Sequence, residues 1–80
     1  MKDNFKEQVA SELRSLRAKF DYKQKDVANK AGIDVMTLAR YENNSASMQL
    51  DMIEKIITVY GLNLNIFFNS ISANKQNWIY

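Results

Sequence analysis

Between Lys23 and Asn43 stands a group of side chains whose types could do chemistry: Lys23, Gln24, Lys25, Asp34, Thr37, Arg40 and Asn43. Apart from the Asp34 carboxylate, they are hydrogen-bond donors or positive charges. A guanidinium presents several N–H donors in a fixed fork and an amide pairs a donor with an acceptor, whereas a lysine is a point charge for an anion. None of this is acid–base or nucleophilic equipment. The chain contains no histidine and no cysteine, which removes the usual general base near neutral pH, the thiol nucleophile, the commonest metal ligands and any disulfide. No cluster of carboxylates marks a site either. These residues imply binding rather than catalysis, with no metal and no cofactor.

Eighty residues make one small domain, near the size at which a single core is only just adequate. A content of 46% hydrophobic and 25% charged residues, no proline and two glycines points to a globular, all-helical chain. No apolar run approaches the roughly 20 residues needed to cross a bilayer and no signal-peptide pattern opens the sequence, so the chain reads as cytoplasmic. The net charge of +2 is unevenly placed. Residues 1–40 hold nine Lys/Arg against six Asp/Glu, while residues 41–80 hold two against three. The positive half is the one that carries the polar group above, a modest electrostatic footprint for an anionic partner that a solvated helix surface would also leave.

The elements that must position these residues follow from periodicity. Phe5, Val9, Leu13, Leu16 and Phe20 recur at steps of four and three and predict a first helix from about Asn4 to Lys19, with Asn4 and Glu7 spaced as a capping box. Arg14 and Arg17 fall on its other faces. A second helix spans Gln24 to Ala31, with Val27, Ala28 and Ala31 inward. Its start lacks a good cap because Lys23 stands there, and Asp26 compensates through the helix dipole. Gly32 supplies the turn, and Asp34 caps a third helix from Val35 to Glu42. A fourth runs from Leu50 to Tyr60, with Leu50, Ile53, Ile56, Ile57 and Tyr60 inward and Gly61 as its stop. Asn63 caps a short fifth helix holding Leu64, Phe67 and Phe68, and the closing SISANKQNWIY shows no helical period. The expected organisation is a domain over residues 1–69 and a C-terminal tail over 70–80.

Two short helices joined by a glycine turn form a helix-turn-helix, and the residues are more specific than that. The stretch QKDVANKAGIDVMTLARYEN from Gln24 resembles the phage-repressor and Cro type (Xre-like) family. Gln24 matches the glutamine opening the family's first motif helix, Ala28 the small residue at the helix crossing, and Gly32 and Ile33 the turn. Leu38 and Tyr41 match its buried positions and Glu42 the acid closing the second helix. LRSLRAKF and GLNLNIFF resemble the flanking helices, so the likeness covers roughly residues 5–68. It implies an all-α, five-helix lambda-repressor-like domain that binds double-stranded DNA through the major groove.

On that resemblance Ile33, Leu38 and Tyr41 turn inward, and Asp34, Val35, Met36, Thr37, Ala39 and Arg40 form the base-facing set. Arg40 can donate two hydrogen bonds to guanine O6 and N7, worth about 1–3 kcal/mol of discrimination; a salt bridge or a phosphate contact are its other uses. Val35, Met36 and Ala39 can only pack, against thymine methyl groups or against a protein. Asp34 departs from the Ser or Thr usual in the family and would repel phosphates. Lys23, Gln24, Lys25 and Asn43 are the candidate phosphate contacts, with Thr37 beside them. A homodimer is expected, its contact drawn from Ile66, Phe67, Phe68, Ile71, Trp78, Ile79 and Tyr80; the competing reading folds the tail onto its own core.

The function implied is a sequence-specific transcriptional repressor on a palindromic operator. The alternative is a protein-interaction module, such as the antitoxin of a toxin–antitoxin pair, that uses the exposed side of the third helix against a protein partner.

Overall fold

A computed structural model describes residues 5–44 and 47–79, with side chains described through Ser72. Five helices follow in order: α1 (Phe5–Phe20), α2 (Gln24–Ala31), α3 (Val35–Glu42), α4 (Leu50–Thr58) and α5 (Leu64–Ile79). α3 packs on α1 and α2, α4 packs on α2 and α5, and α5 closes back on α1. The core between them is built from Val9, Leu13 and Leu16 of α1, Val27 and Ala28 of α2, Leu38 and Tyr41 of α3, Ile53, Ile56 and Ile57 of α4, Tyr60, and Phe67 and Ile71 of α5. Among the described residues no helix is long and apolar enough to cross a membrane.

Backbone chemistry at the ends of α2 fixes the motif. The Asp26 carboxylate accepts from the Lys23 N–H at 3.3 Å, a partial substitute for the missing side-chain cap. At the other end Gly32 takes φ 73°, a left-handed conformation that side chains with a Cβ resist. Its N–H reaches Asn29 O at 3.2 Å and the Ile33 N–H reaches Ala28 O at 3.0 Å, which satisfies two carbonyls the helix would leave open. α5 is capped as expected, with the Ile66 N–H donating to Asn63 Oδ1 at 2.9 Å.

Four expectations are corrected. α5 is a helix of sixteen residues that runs through Ile79, not a short helix followed by an aperiodic tail. Leu64, Phe67, Phe68 and Ile71 continue the three-and-four spacing, and residues 72–79 contain no glycine or proline to stop the helix. Phe5, Phe20 and Leu50, expected inward, are exposed because each lies at a helix end, where neighbours cover only part of the side chain: Phe5 keeps a ring contact with Phe68, and Phe20 with Tyr22 and Tyr60. Asp34 stands at the start of α3 without a side-chain cap bond. Lastly, Arg14 and Arg17 do not simply face solvent: both reach Glu42.

Candidate nucleic-acid interface

The inner side of α3 is defined by packing and by one buried charge. Leu38 and Tyr41 sit in the core. The Tyr41 hydroxyl donates to Ser47 O at 3.2 Å and accepts from the Gln49 N–H at 3.2 Å, so the same ring that fills the core also ties down the start of α4. Glu42 is only 2% exposed, and a buried carboxylate is tolerated only when paired and hydrogen-bonded. Arg17 Nε donates to both of its oxygens at 3.1 and 3.0 Å, and Gln24 Nε2 donates to Oε1 at 3.1 Å. Arg14 donates to the Glu42 backbone carbonyl, and Arg17 Nη1 to Tyr22 O at 3.1 Å. One carboxylate thereby joins α1, the start of α2 and the end of α3. Beside the apolar contacts the three helices share, this network adds a polar tie between them.

Sequence reasoning assigned Glu42 only by resemblance and missed its arginine partners. A signal was present: Arg17 follows Leu13 by four residues and Leu16 by one, so it borders the buried stripe rather than opposing it.

The outer side of α3 has the opposite character. Met36 is 57% exposed and Val35 43%; Arg40 is exposed one turn beyond Met36, and Thr37 and Ala39 are half-buried beside them. Asp34 is exposed at the helix start in an extended conformation (φ −74°, ψ 140°). The predicted base-facing residues thus extend from the start of α3 into its last turn, where Arg40 stands, and Asp34, Val35, Met36 and Arg40 are the exposed members of the set. At the start of α2, Lys23 and Lys25 are exposed and Gln24 is half-buried. Gln24 spends one amide N–H on Glu42, which leaves its second N–H for another acceptor. Asn43, at the end of α3, is exposed.

The expected dimer residues are dispersed. Phe67 at 1% and Ile71 at 4% exposure fill the chain's own core, because the longer α5 carries Ile71 one turn past Phe67 onto the same inner side; neither offers a surface to a second copy. Phe68 is half-buried with its ring 5.4 Å from that of Phe5, whereas Ile66 is 50% exposed. The side chains of Trp78 and Ile79, and the whole of Tyr80, lie outside the described residues.

A second aromatic group marks the junction of α1 with α2 and α4. Phe20, Tyr22 and Tyr60 pack ring on ring, with centroids 5.1 to 6.1 Å apart. Lys30 Nζ stands 5.6 Å over Tyr22. Burial, reinforced by the nearby Glu42 charge, pushes the Tyr60 phenol up to about 12.

Comparison with known proteins agrees with this architecture. The helix-turn-helix family model matches residues 13–67. Over 53 residues, 66% of this chain, the sequence is 36% identical to the cryptic phage CTXphi transcriptional repressor RstR of Vibrio cholerae. The match spans about half (48%) of that relative's length. Among solved structures, a mutant of the restriction-modification controller protein C.Esp1396I superposes with a TM-score of 0.83 over 95% of this chain and 96% of its own, at 20% identity. The wild-type controller gives 0.79 over 89% and 95%, at 21% identity. Identity this low speaks for the fold.

Proposed function

Because the chain belongs to the Xre-like helix-turn-helix family of DNA-binding transcriptional regulators, we propose that it is a sequence-specific repressor that binds a palindromic operator as a dimer. One observation carries the reading: the inner side of α3 is fixed by Leu38, Tyr41 and the Glu42 ion pair, while the outer side is left exposed. A major groove about 12 Å wide admits one such helix, and the residues at the helix start meet the base edges. Arg40 would read guanine. Lys23, Lys25, the second amide N–H of Gln24, and Asn43 would hold phosphates on either side of the motif. Two units about 34 Å apart on a two-fold axis would read both half-sites and exclude polymerase by occupancy. For the dimer, the exposed Ile66 on α5 is the candidate contact.

The test is a titration of the full chain against a duplex of its own upstream region and against random duplexes, at two salt concentrations. Specific retention on the upstream palindrome, lost in Arg40→Ala, is the expected result. Absence of binding to any duplex at low salt would overturn the reading. Ile66→Glu is expected to shift sedimentation to the monomer; an unchanged coefficient removes Ile66 from the contact.

The exposed apolar pair Val35 and Met36 favours one second reading, in which the same side of α3 docks a protein, as an antitoxin would. A variant that loses a protein partner but keeps its operator would identify that use.

A further inference from the structure

The start of α3 combines an acceptor with an apolar surface, and the DNA major groove offers few groups that fit both. Asp34 is exposed and its carboxylate makes no cap bond to the helix it precedes. An ionised carboxylate only accepts hydrogen bonds, and the base edges in the groove present two donors, cytosine N4 and adenine N6. The guanine, adenine and thymine acceptors, and every phosphate, repel it. Val35 and Met36 follow directly, 43% and 57% exposed. They have no hydrogen-bonding capacity, and the one apolar group in the groove is a methyl on pyrimidine C5. Met36 can follow the shape of such a group, its thioether chain being unbranched and adaptable.

Resting on the DNA-binding reading above, we propose that Val35 and Met36 recognise the C5-methyl group of a pyrimidine, with Asp34 accepting a hydrogen bond from the exocyclic amino group beside it. Two sources carry this chemistry. A thymine next to a cytosine or adenine supplies methyl and amino group from neighbouring bases. A 5-methylcytosine supplies both from adjacent ring positions, C5 and C4, of a single base. The tip of α3 is then a methyl reader, and its discrimination comes from shape and one acceptor rather than from a bidentate donor.

The experiment begins with full-length protein and a random-sequence duplex pool, from which the enriched duplex is resynthesised in two altered forms. One replaces thymine by deoxyuridine; the other replaces cytosine by 5-methylcytosine. Binding is read by fluorescence anisotropy. Weakening by about fourfold per contacted methyl in the deoxyuridine duplex, the effect of one buried methylene-sized group, identifies thymine as the source. Strengthening by a similar factor in the methylated duplex identifies 5-methylcytosine. Met36→Ser, at an exposed position that leaves the core intact, is expected to abolish whichever response is seen. Asp34→Asn, which adds donor N–H groups, is expected to admit guanine or thymine where the parent enriches cytosine or adenine. Equal binding of all three duplexes overturns this inference alone, as does a full methyl response in Met36→Ser. Failure to enrich or bind any duplex overturns it together with the DNA-binding reading.

Discussion

The two sides of α3 have opposite characters. Leu38, Tyr41 and Glu42 are buried, each with partners on another element. Val35 and Met36, within a turn of Leu38 in sequence, lie exposed. Apolar residues occur on both sides, so hydrophobicity alone does not say which side packs. Position relative to α1 and α2 does: the inward residues recur at 38, 41 and 42, a helical spacing, with Leu38 and Tyr41 in the core and Glu42 on the Arg17 and Gln24 side chains. What is demanded of the inner side is geometric and leaves few substitutions open. Val35 and Met36 fill no core position, and so the fold leaves their types more open.

If that division is right, damage to the inner side should cost stability first and binding only as a consequence. The largest effect is expected for Glu42→Ala. Removing one partner of a buried pair leaves the other charge uncompensated, typically about 3–5 kcal/mol, and here it also releases the Gln24 amide. A marginal domain of this size should be largely unfolded by circular dichroism near room temperature; a melting temperature within a few degrees of the parent's would break the comparison. Leu38→Ala is expected to cost about 2–5 kcal/mol by transfer and cavity terms, read as a shift in the denaturant midpoint.

On the outer side the order reverses. Arg40→Ala should leave the melting temperature nearly unchanged while specific binding falls by about 1–3 kcal/mol, roughly tenfold to a hundredfold, and non-specific binding falls much less. A melting temperature that drops as far as in Leu38→Ala would place Arg40 among the structural residues. Between the two sides stands Gly32. No atom lies within 4 Å of where a Cβ would sit, so crowding is not the constraint; its φ of 73° is. Gly32→Ala should therefore cost about 1–2 kcal/mol from the backbone alone, and Gly32→Asn less, because asparagine tolerates that conformation.

Most of the scaffold was legible in the sequence because its signals are local. The spans of α2 and α3 follow from Gly32 and from the spacing of Val27, Ala28, Leu38 and Tyr41, and Asn63 announces α5 by its side chain. Signals that depend on a neighbour were weaker. The stripe Phe5 to Phe20 correctly marks a helical side but not how much of it the other helices cover, so its two ends emerge exposed. Length misled at α5, where polar residues after Ile71 show no apolar period yet continue the helix. The Glu42 ion pair was the least readable feature, because it joins residues 25 positions apart and neither partner belongs to a hydrophobic pattern. For the outer side of α3, the family resemblance suggested the surface, since apolar residue types alone did not separate the two sides. Neither could show that Asp34 forms no cap bond, which depends on how the turn delivers its side chain.

The smallest effect tests how far the buried charge reaches. Tyr60 is packed between Phe20 and Tyr22 and lies in the field of Glu42, and its phenol is held at about 12. In the unfolded chain it would ionise near 10. The folded state therefore keeps the proton longer, and the stabilisation is fully present below pH 10 and is lost as pH rises from there through about 12. Lysines titrate in the same range, so the diagnostic quantity is a difference: Tyr60→Phe should lose less stability than the parent between pH 9 and 11, while the two melt alike in their pH dependence below pH 8. Because burial is the larger cause and Glu42 the second, a fold-retaining Glu42→Gln should narrow that difference without removing it. A difference that vanishes in Glu42→Gln would make the inner side of α3, rather than aromatic packing, the main cause of the shift. One that does not change would confine the influence of the ion pair to α1, α2 and α3.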